Sequence, residues 1–138
     1  MANNENPQGN IDQQKQQEMM YKLQMYDQHM QHLKKQFQAV EDGIKEVTQI
    51  SQGLEELKGS EGKEILAPIG RGIYTKVKLL SEELIVDIGE GNMVKKSIDD
   101  TKEIISEQVG KLEDVKKDLN KNMDQIQQEL QKMLSEAQ

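Results

Sequence analysis

Four small groupings in this chain have residue types and spacings that chemistry can use. His29 and His32 stand three apart, a separation that lets two imidazoles on neighbouring helical turns share a metal ion. Gly70-Arg71-Gly72 and Gly89-Glu90-Gly91 carry glycines of the kind that cradle phosphate, and Glu82, Glu83, Asp87 and Glu90 are carboxylates that could pair as acid and base. Each falls short of what its chemistry requires. The histidine pair has no third ligand near it and flanks a helical seam, so it reads as two solvated side chains. Neither glycine triplet has the third Gly of GxGxxG or a following Lys-Ser/Thr, and both fall between strands rather than ahead of a helix, so they read as hairpin turns. Nothing in the pattern builds an apolar pocket around the carboxylates to raise a pKa. With no cysteine in the chain, thiolate ligands and disulfides are excluded. The expectation is a protein that is not an enzyme and needs no cofactor and no metal.

What remains is adhesive chemistry. Met19, Met20, Tyr21, Leu23 and Met25 sit near the start of one helical stretch, and Ile126, Leu130, Met133 and Leu134 near the end of another. Met20, Met25 and Leu134 fall off the inferred seams, so apolar surface is expected where the helices fray. Methionine is flexible and polarizable, which suits shape-tolerant contact with many apolar segments. The plainer alternative is that all of these are seam residues at a loose helical end.

The elements that position these residues follow from hydrophobic period. Residues 1–10 are polar, contain Pro7 and Gly9, and are expected to be a disordered tail. Helix 1 is expected over 11–58, from Ile11 or Asp12, with the seam Met19, Leu23, Tyr26, Met30, Leu33, Phe37, Val40, Ile44, Val47, Ser51 and Leu54 spaced alternately three and four. Helix 2 is expected over 97–138, capped by Ser97, with the seam Ile98, Thr101, Ile105, Val109, Leu112, Val115, Leu119, Met123, Ile126, Leu130, Met133 and Ala137. Its four-then-four spacings at Ile105 to Val109 and at Leu119 to Met123 read as stutters. The arms match in length, on the order of 65–70 Å at about 1.5 Å per residue, and therefore pair most economically as an antiparallel coiled coil.

Between them, residues 59–97 change period. Apolar residues alternate in four short segments, Glu64–Ile69, Ile73–Leu80, Leu84–Ile88 and Met93–Lys96, with glycine turns after the first and third. Two hairpins this small do not stabilise themselves in water, and their edges are unpaired. Strand pairing with neighbouring subunits into a closed barrel would cover them. The fold class is thus α+β: a long antiparallel two-helix coiled coil joined by two β-hairpins that assemble into an intersubunit β-barrel.

Composition agrees. Only 34% of the 138 residues are hydrophobic and 31% are charged, with mean hydropathy -0.84, too little apolar surface for a large core. The net charge of -7 is spread so that no segment is basic, which argues against nucleic acid. No stretch approaches the ~18 apolar residues of a membrane span, and the first residues lack a signal-peptide pattern; a soluble, cytoplasmic chain is expected.

On Leu66-Ala67-Pro68-Ile69-Gly70, Ile73-Tyr74-Thr75-Lys76-Val77-Lys78-Leu79, Val86-Asp87-Ile88-Gly89-Glu90-Gly91 and Val94-Lys95-Lys96-Ser97, set between two heptad arms, the chain resembles the archaeal-type prefoldin alpha subunit. The resemblance covers nearly everything after the tail. It implies a hexamer of two alpha and four beta subunits in which a second alpha subunit pairs with this one at a double barrel. It also implies that non-native client proteins are held at the coil tips, without ATP, and passed to a group II chaperonin. On that pattern Ile65, Ala67, Ile69, Ile73, Thr75, Val77, Leu79, Leu84, Val86, Ile88 and Val94 are assembly residues, and the Met19–Met25 and Ile126–Leu134 groups bind clients. The alternative of another class is a structural spacer or adaptor that docks its β knob on one partner.

Overall fold

A computed structural model describes residues 7–136 of the chain. The elements run α1 (Pro7–Leu57), β1 (Glu64–Gly70), β2 (Ile73–Lys78), β3 (Leu84–Asp87), β4 (Met93–Lys96) and α2 (Ile98–Glu136). Of the expected tail, residues 1–6 lie outside the described residues, whereas Pro7 to Asn10 belong to α1. Periodicity locates only the part of a helix that packs, so the polar turns ahead of Ile11 were invisible to it. Proline is compatible with a first helical turn because an amide there has no intrahelical partner to lose.

The chain divides into two compact units, Met1–Glu41 with Asp114–Gln138, and Asp42–Glu113. In the first unit α1 and α2 run antiparallel. Leu33, Leu119 and Ile126 are buried, and Tyr26, Met30, Phe37, Val40, Met123 and Leu130 pack around them. Every α1 seam residue from Met19 to Leu54 is buried or half-buried, as a heptad stripe facing a partner helix requires.

The α2 seam differs from expectation at one place. Val115 is 45% exposed, and the inward position is taken by Lys116, whose side chain is only 33% exposed. Its ammonium lies 5.5 Å from the centre of the Phe37 ring and 3.4 Å from Glu41 Oε1. The lysine stem covers apolar surface while the charge meets an aromatic face and a carboxylate. With Lys116 in the seam, the spacing from Leu112 through Lys116, Leu119 and Met123 becomes four, three, four, and the stutter expected at Leu119 to Met123 disappears. Ala137 lies outside the described residues.

In the second unit the helices again run antiparallel, with Ile98, Thr101 and Ile105 buried. Ser97 caps α2 as its sequence position suggests: its Oγ accepts from Asp100 N at 3.0 Å, and its carbonyl accepts from Thr101 N at 3.1 Å. Asp99 and Asp100 in the first turn complement the helix dipole. At the other helix end Gly59 takes φ 75°, which lets the chain leave α1 without a side-chain clash.

The strands form two separate antiparallel hairpins, β1 with β2 and β3 with β4. β2 stops at Lys78 rather than Leu80, although Leu79 N still donates to Lys63 O at 3.0 Å and its carbonyl accepts from Gly62 N at 2.7 Å. β3 stops at Asp87 rather than Ile88. Both turns share one design: Arg71 and Gly72 have φ 47° and 78°, while Glu90 and Gly91 have φ 53° and 77°. Positive φ at both central residues matches the right-handed twist of hairpin strands. Arg71 and Glu90, of opposite charge, occupy equivalent places.

Candidate functional site: an apolar helical surface and two open hairpins

Register decides which residues of the second unit share a face. In the first hairpin Ile65 pairs with Val77 and Ala67 with Thr75, so these four and Ile73 stand on one side. Ile69 falls at the bulge between Pro68 and Gly70. In the second hairpin Val86 pairs with Val94, and Leu84 with Lys96. Ile65, Ala67, Leu79, Leu84, Val86 and Val94 are half-buried, whereas Ile69, Ile73, Thr75, Val77 and Ile88 are exposed. These faces are the ones expected to carry assembly residues.

The opposite faces are also apolar, which the sequence reading did not single out. Leu66 and Tyr74 on the first hairpin and Ile85 and Met93 on the second are each at least 60% exposed, and Leu80 between the hairpins reaches 82%. The signal was present as apolar residues at every second position and their neighbours, but a segment with both faces apolar looks like a buried strand until its surroundings are seen. With two strands per sheet, all four strands have an unpaired edge.

Charges organise the space between the hairpins and the adjoining helix ends. An open cleft of about 550 Å³ is lined by residues including Lys58, Glu82, Glu83, Lys95 and Asp99. Lys58 Nζ lies 2.6 Å from Asp99 Oδ1 and 3.4 Å from Glu55 Oε2, and Lys102 also pairs with Glu55. Gly59 N donates to Glu82, and Lys95 Nζ is 3.6 Å from Glu83 Oε1. Hydrogen bonds from Lys102 and then Lys58 lower the pKa of Glu55. Lys58 lowers that of Asp99, and Asp99 in turn raises that of Lys58. Every shift holds its group in the charged form, the reverse of what a proton-transfer catalyst near neutrality needs. The arrangement can fix the loop between the hairpins to the end of α1.

In the first unit the residues expected to bind clients separate by depth. Met20 is 63% and Tyr21 64% exposed, while Met25 and Leu134 are about half exposed. Met19, Leu23, Leu130 and Met133 are half-buried in the seam. Ile126, at 6% exposure, is a core residue packed with Leu33 and Leu119; its period places it inward, and only Met20, Tyr21, Met25 and Leu134 offer open surface. Nearby, the Tyr26 hydroxyl is held protonated by its hydrogen bond to Glu129 and then by burial, which raise its pKa. His29 and His32 are exposed, and among the described residues no group of three His, Cys, Asp or Glu could hold a metal. No helix among them is long and apolar enough to cross a membrane.

Residues 26–138 match the family described as prefoldin subunit. A prefoldin subunit alpha of Methanobrevibacter smithii is 33% identical over 83% of this chain and 79% of its own length. Prefoldin subunit alpha 1 of Thermococcus kodakarensis is 34% identical over 71% and 68%. In fold, a chain of filamentous PFD from Methanocaldococcus jannaschii, solved by cryo-EM, superposes with TM-score 0.72 at 18% identity, covering 83% of this chain and 96% of that one.

Proposed function

Since this chain belongs to the prefoldin family, in its archaeal alpha-subunit type, and is thereby a chaperone subunit that assembles with other prefoldin subunits, we propose that it works as an ATP-independent holdase. The apolar hairpin faces, with their free edges, join those of a second alpha subunit and of four beta subunits into a closed double barrel. That joining removes edges and covers Ile65, Ala67, Ile69, Ile73, Thr75, Val77, Leu79, Leu84, Val86, Ile88 and Val94. The helical ends then hold non-native chains and deliver them to a group II chaperonin in the cytoplasm.

One observation carries the capture step. Met20, Tyr21, Met25 and Leu134 leave their side chains half or more exposed, although enough inward positions exist to bury the coil without them. Large apolar side chains kept in water, on a surface with no enclosing pocket, support contact with partners that are themselves apolar and irregular. Each contact is weak, and several copies on one assembly make retention strong by effective concentration.

The test replaces these four by glutamine, a helix-compatible polar residue. The co-assembled variant is expected to keep its native mass and to lose suppression of aggregation for two unrelated denatured clients. Undiminished protection of both would sink capture at this surface. Binding to a single native partner, with no protection of either client, would mark the chain as an adaptor.

A further inference from the structure

We propose that the thioethers of Met20 and Met25 are a modification site, where conversion to methionine sulfoxide by a peroxide loosens the grip on non-native chains. The inference rests on the capture reading above and adds its regulation. Methionine is distributed unevenly in this chain. Met19, Met20, Met25, Met30, Met123 and Met133 all fall in the first unit, whereas Met93 is alone in the second. Depth sorts them further. The buried core of the first unit is Leu33, Leu119 and Ile126, aliphatic side chains that peroxide does not attack. Met19, Met30, Met123 and Met133 are half-buried along the seam, and Met20 and Met25 stand open to solvent at 63% and 50%. With no cysteine in the chain, no thiolate competes for a mild oxidant.

The chemistry balances with the peroxide alone. A sulfur lone pair attacks one peroxide oxygen, the S–O bond forms as the O–O bond breaks, and the departing oxygen leaves as water. Sulfur is oxidised by two electrons and the peroxide reduced by two. The product replaces a polarizable apolar atom by a strong dipole. Neither residue faces the seam, so the coil keeps its packing while the contact surface changes. A sulfoxide pressed against an apolar client segment has to shed water without gaining a partner, which weakens that contact by about tenfold. Tyr21 and Leu134, also exposed, resist mild peroxide, so grip is attenuated rather than abolished. Methionine sulfoxide reductases restore it, a thiol supplying the two electrons as it is oxidised to a disulfide and the sulfoxide oxygen leaving as water.

The experiment treats the co-assembled oligomer with hydrogen peroxide and follows each methionine by peptide mass mapping, the assembly by native mass, and function by suppression of client aggregation. Met20 and Met25 are expected to gain oxygen before Met30 and Met123, with native mass unchanged and client retention falling about tenfold. The two methionine sulfoxide reductases, one for each sulfoxide epimer, with a dithiol as reductant, are expected to reverse the loss. A double variant, Met20→Leu with Met25→Leu, is measured against its own untreated sample and is expected to lose nothing to peroxide. Met93→Leu, which removes the exposed hairpin sulfur, is expected to respond as the parent does. Full sulfoxidation of Met20 and Met25 with undiminished protection overturns the inference, as does a loss that persists in the double variant. Either result leaves the capture reading standing. An untreated oligomer that protects no client instead overturns capture, and this inference with it.

Discussion

Gly43→Ala offers a direct test of how closely the helices of the second unit approach. Gly43 lies inside α1, where glycine costs about 0.8–1.0 kcal/mol relative to alanine. A methyl built there would sit 3.8 Å from Leu112 Cδ1, ordinary van der Waals contact with the facing helix. The substitution therefore recovers the helix term and adds part of the ~0.8 kcal/mol of one buried methylene, roughly 1–1.5 kcal/mol in all. Gly53 and Gly110 supply the comparison, because a methyl at either meets nothing within 4 Å and should recover only about 1 kcal/mol. Urea unfolding of the co-assembled protein, followed by helical circular dichroism at fixed protomer concentration, reads the difference. The expected order is Gly43→Ala above Gly53→Ala and Gly110→Ala, all three above the parent. A destabilised Gly43→Ala beside stabilised Gly53→Ala and Gly110→Ala would refute the spacing, since it requires α1 and α2 to be too close there to admit a methyl.

Leu33→Ala empties the most buried core position of the first unit, at 4% exposure, and should cost about 2–5 kcal/mol in the same urea assay. Ser97→Ala removes the acceptor for Asp100 N and should cost about 1 kcal/mol. Val86→Asp places a charge opposite Val94; native mass is expected to show failed assembly. The Glu55, Lys58 and Asp99 cluster predicts a pH dependence with a definite sign. Because the carboxylate pKa values are lowered, their contribution is complete above the usual carboxylate range and is lost as pH falls through the lowered values. Because that of Lys58 is raised, its contribution is complete below the usual ammonium range and is lost as pH rises through the raised value. Lys58→Met should thus be less stable than the parent at neutral pH, with the gap closing in acid and shrinking in high salt, as for any exposed pair.

Much of the fold was legible because it is periodic. The α1 seam could be followed residue by residue from Met19 to Leu54, and each of those positions is sheltered; Ser97 was readable as a cap and the Gly-X-Gly triplets as hairpin turns. Lys116 was not legible. A charged residue counts as polar in any pattern, and its inward place depends on the Phe37 ring and Glu41 arriving opposite it. The candidate surface was legible in part. Met20, Met25 and Leu134 were off the seam by spacing alone and Ile126 was on it, but how fully a seam residue is covered, 6% exposure for Ile126 against half-burial for Leu130 and Met133, depended on the facing helix.

By itself the sequence determined the alternation of two helical arms with two hairpins, most of the residues that face the seams, and the shortage of apolar mass for a self-contained core. Those properties are local: they follow from period, turn chemistry and composition along one chain. The tertiary structure decided that Lys116 rather than Val115 turns inward, how deeply Ile126 is buried against Leu33 and Leu119, and that the hairpin faces opposite the expected assembly residues hold Leu66, Tyr74, Ile85 and Met93 in the open. Such outcomes depend on which surfaces meet across the fold, and burial is a relation between segments far apart in sequence that no single segment's pattern contains.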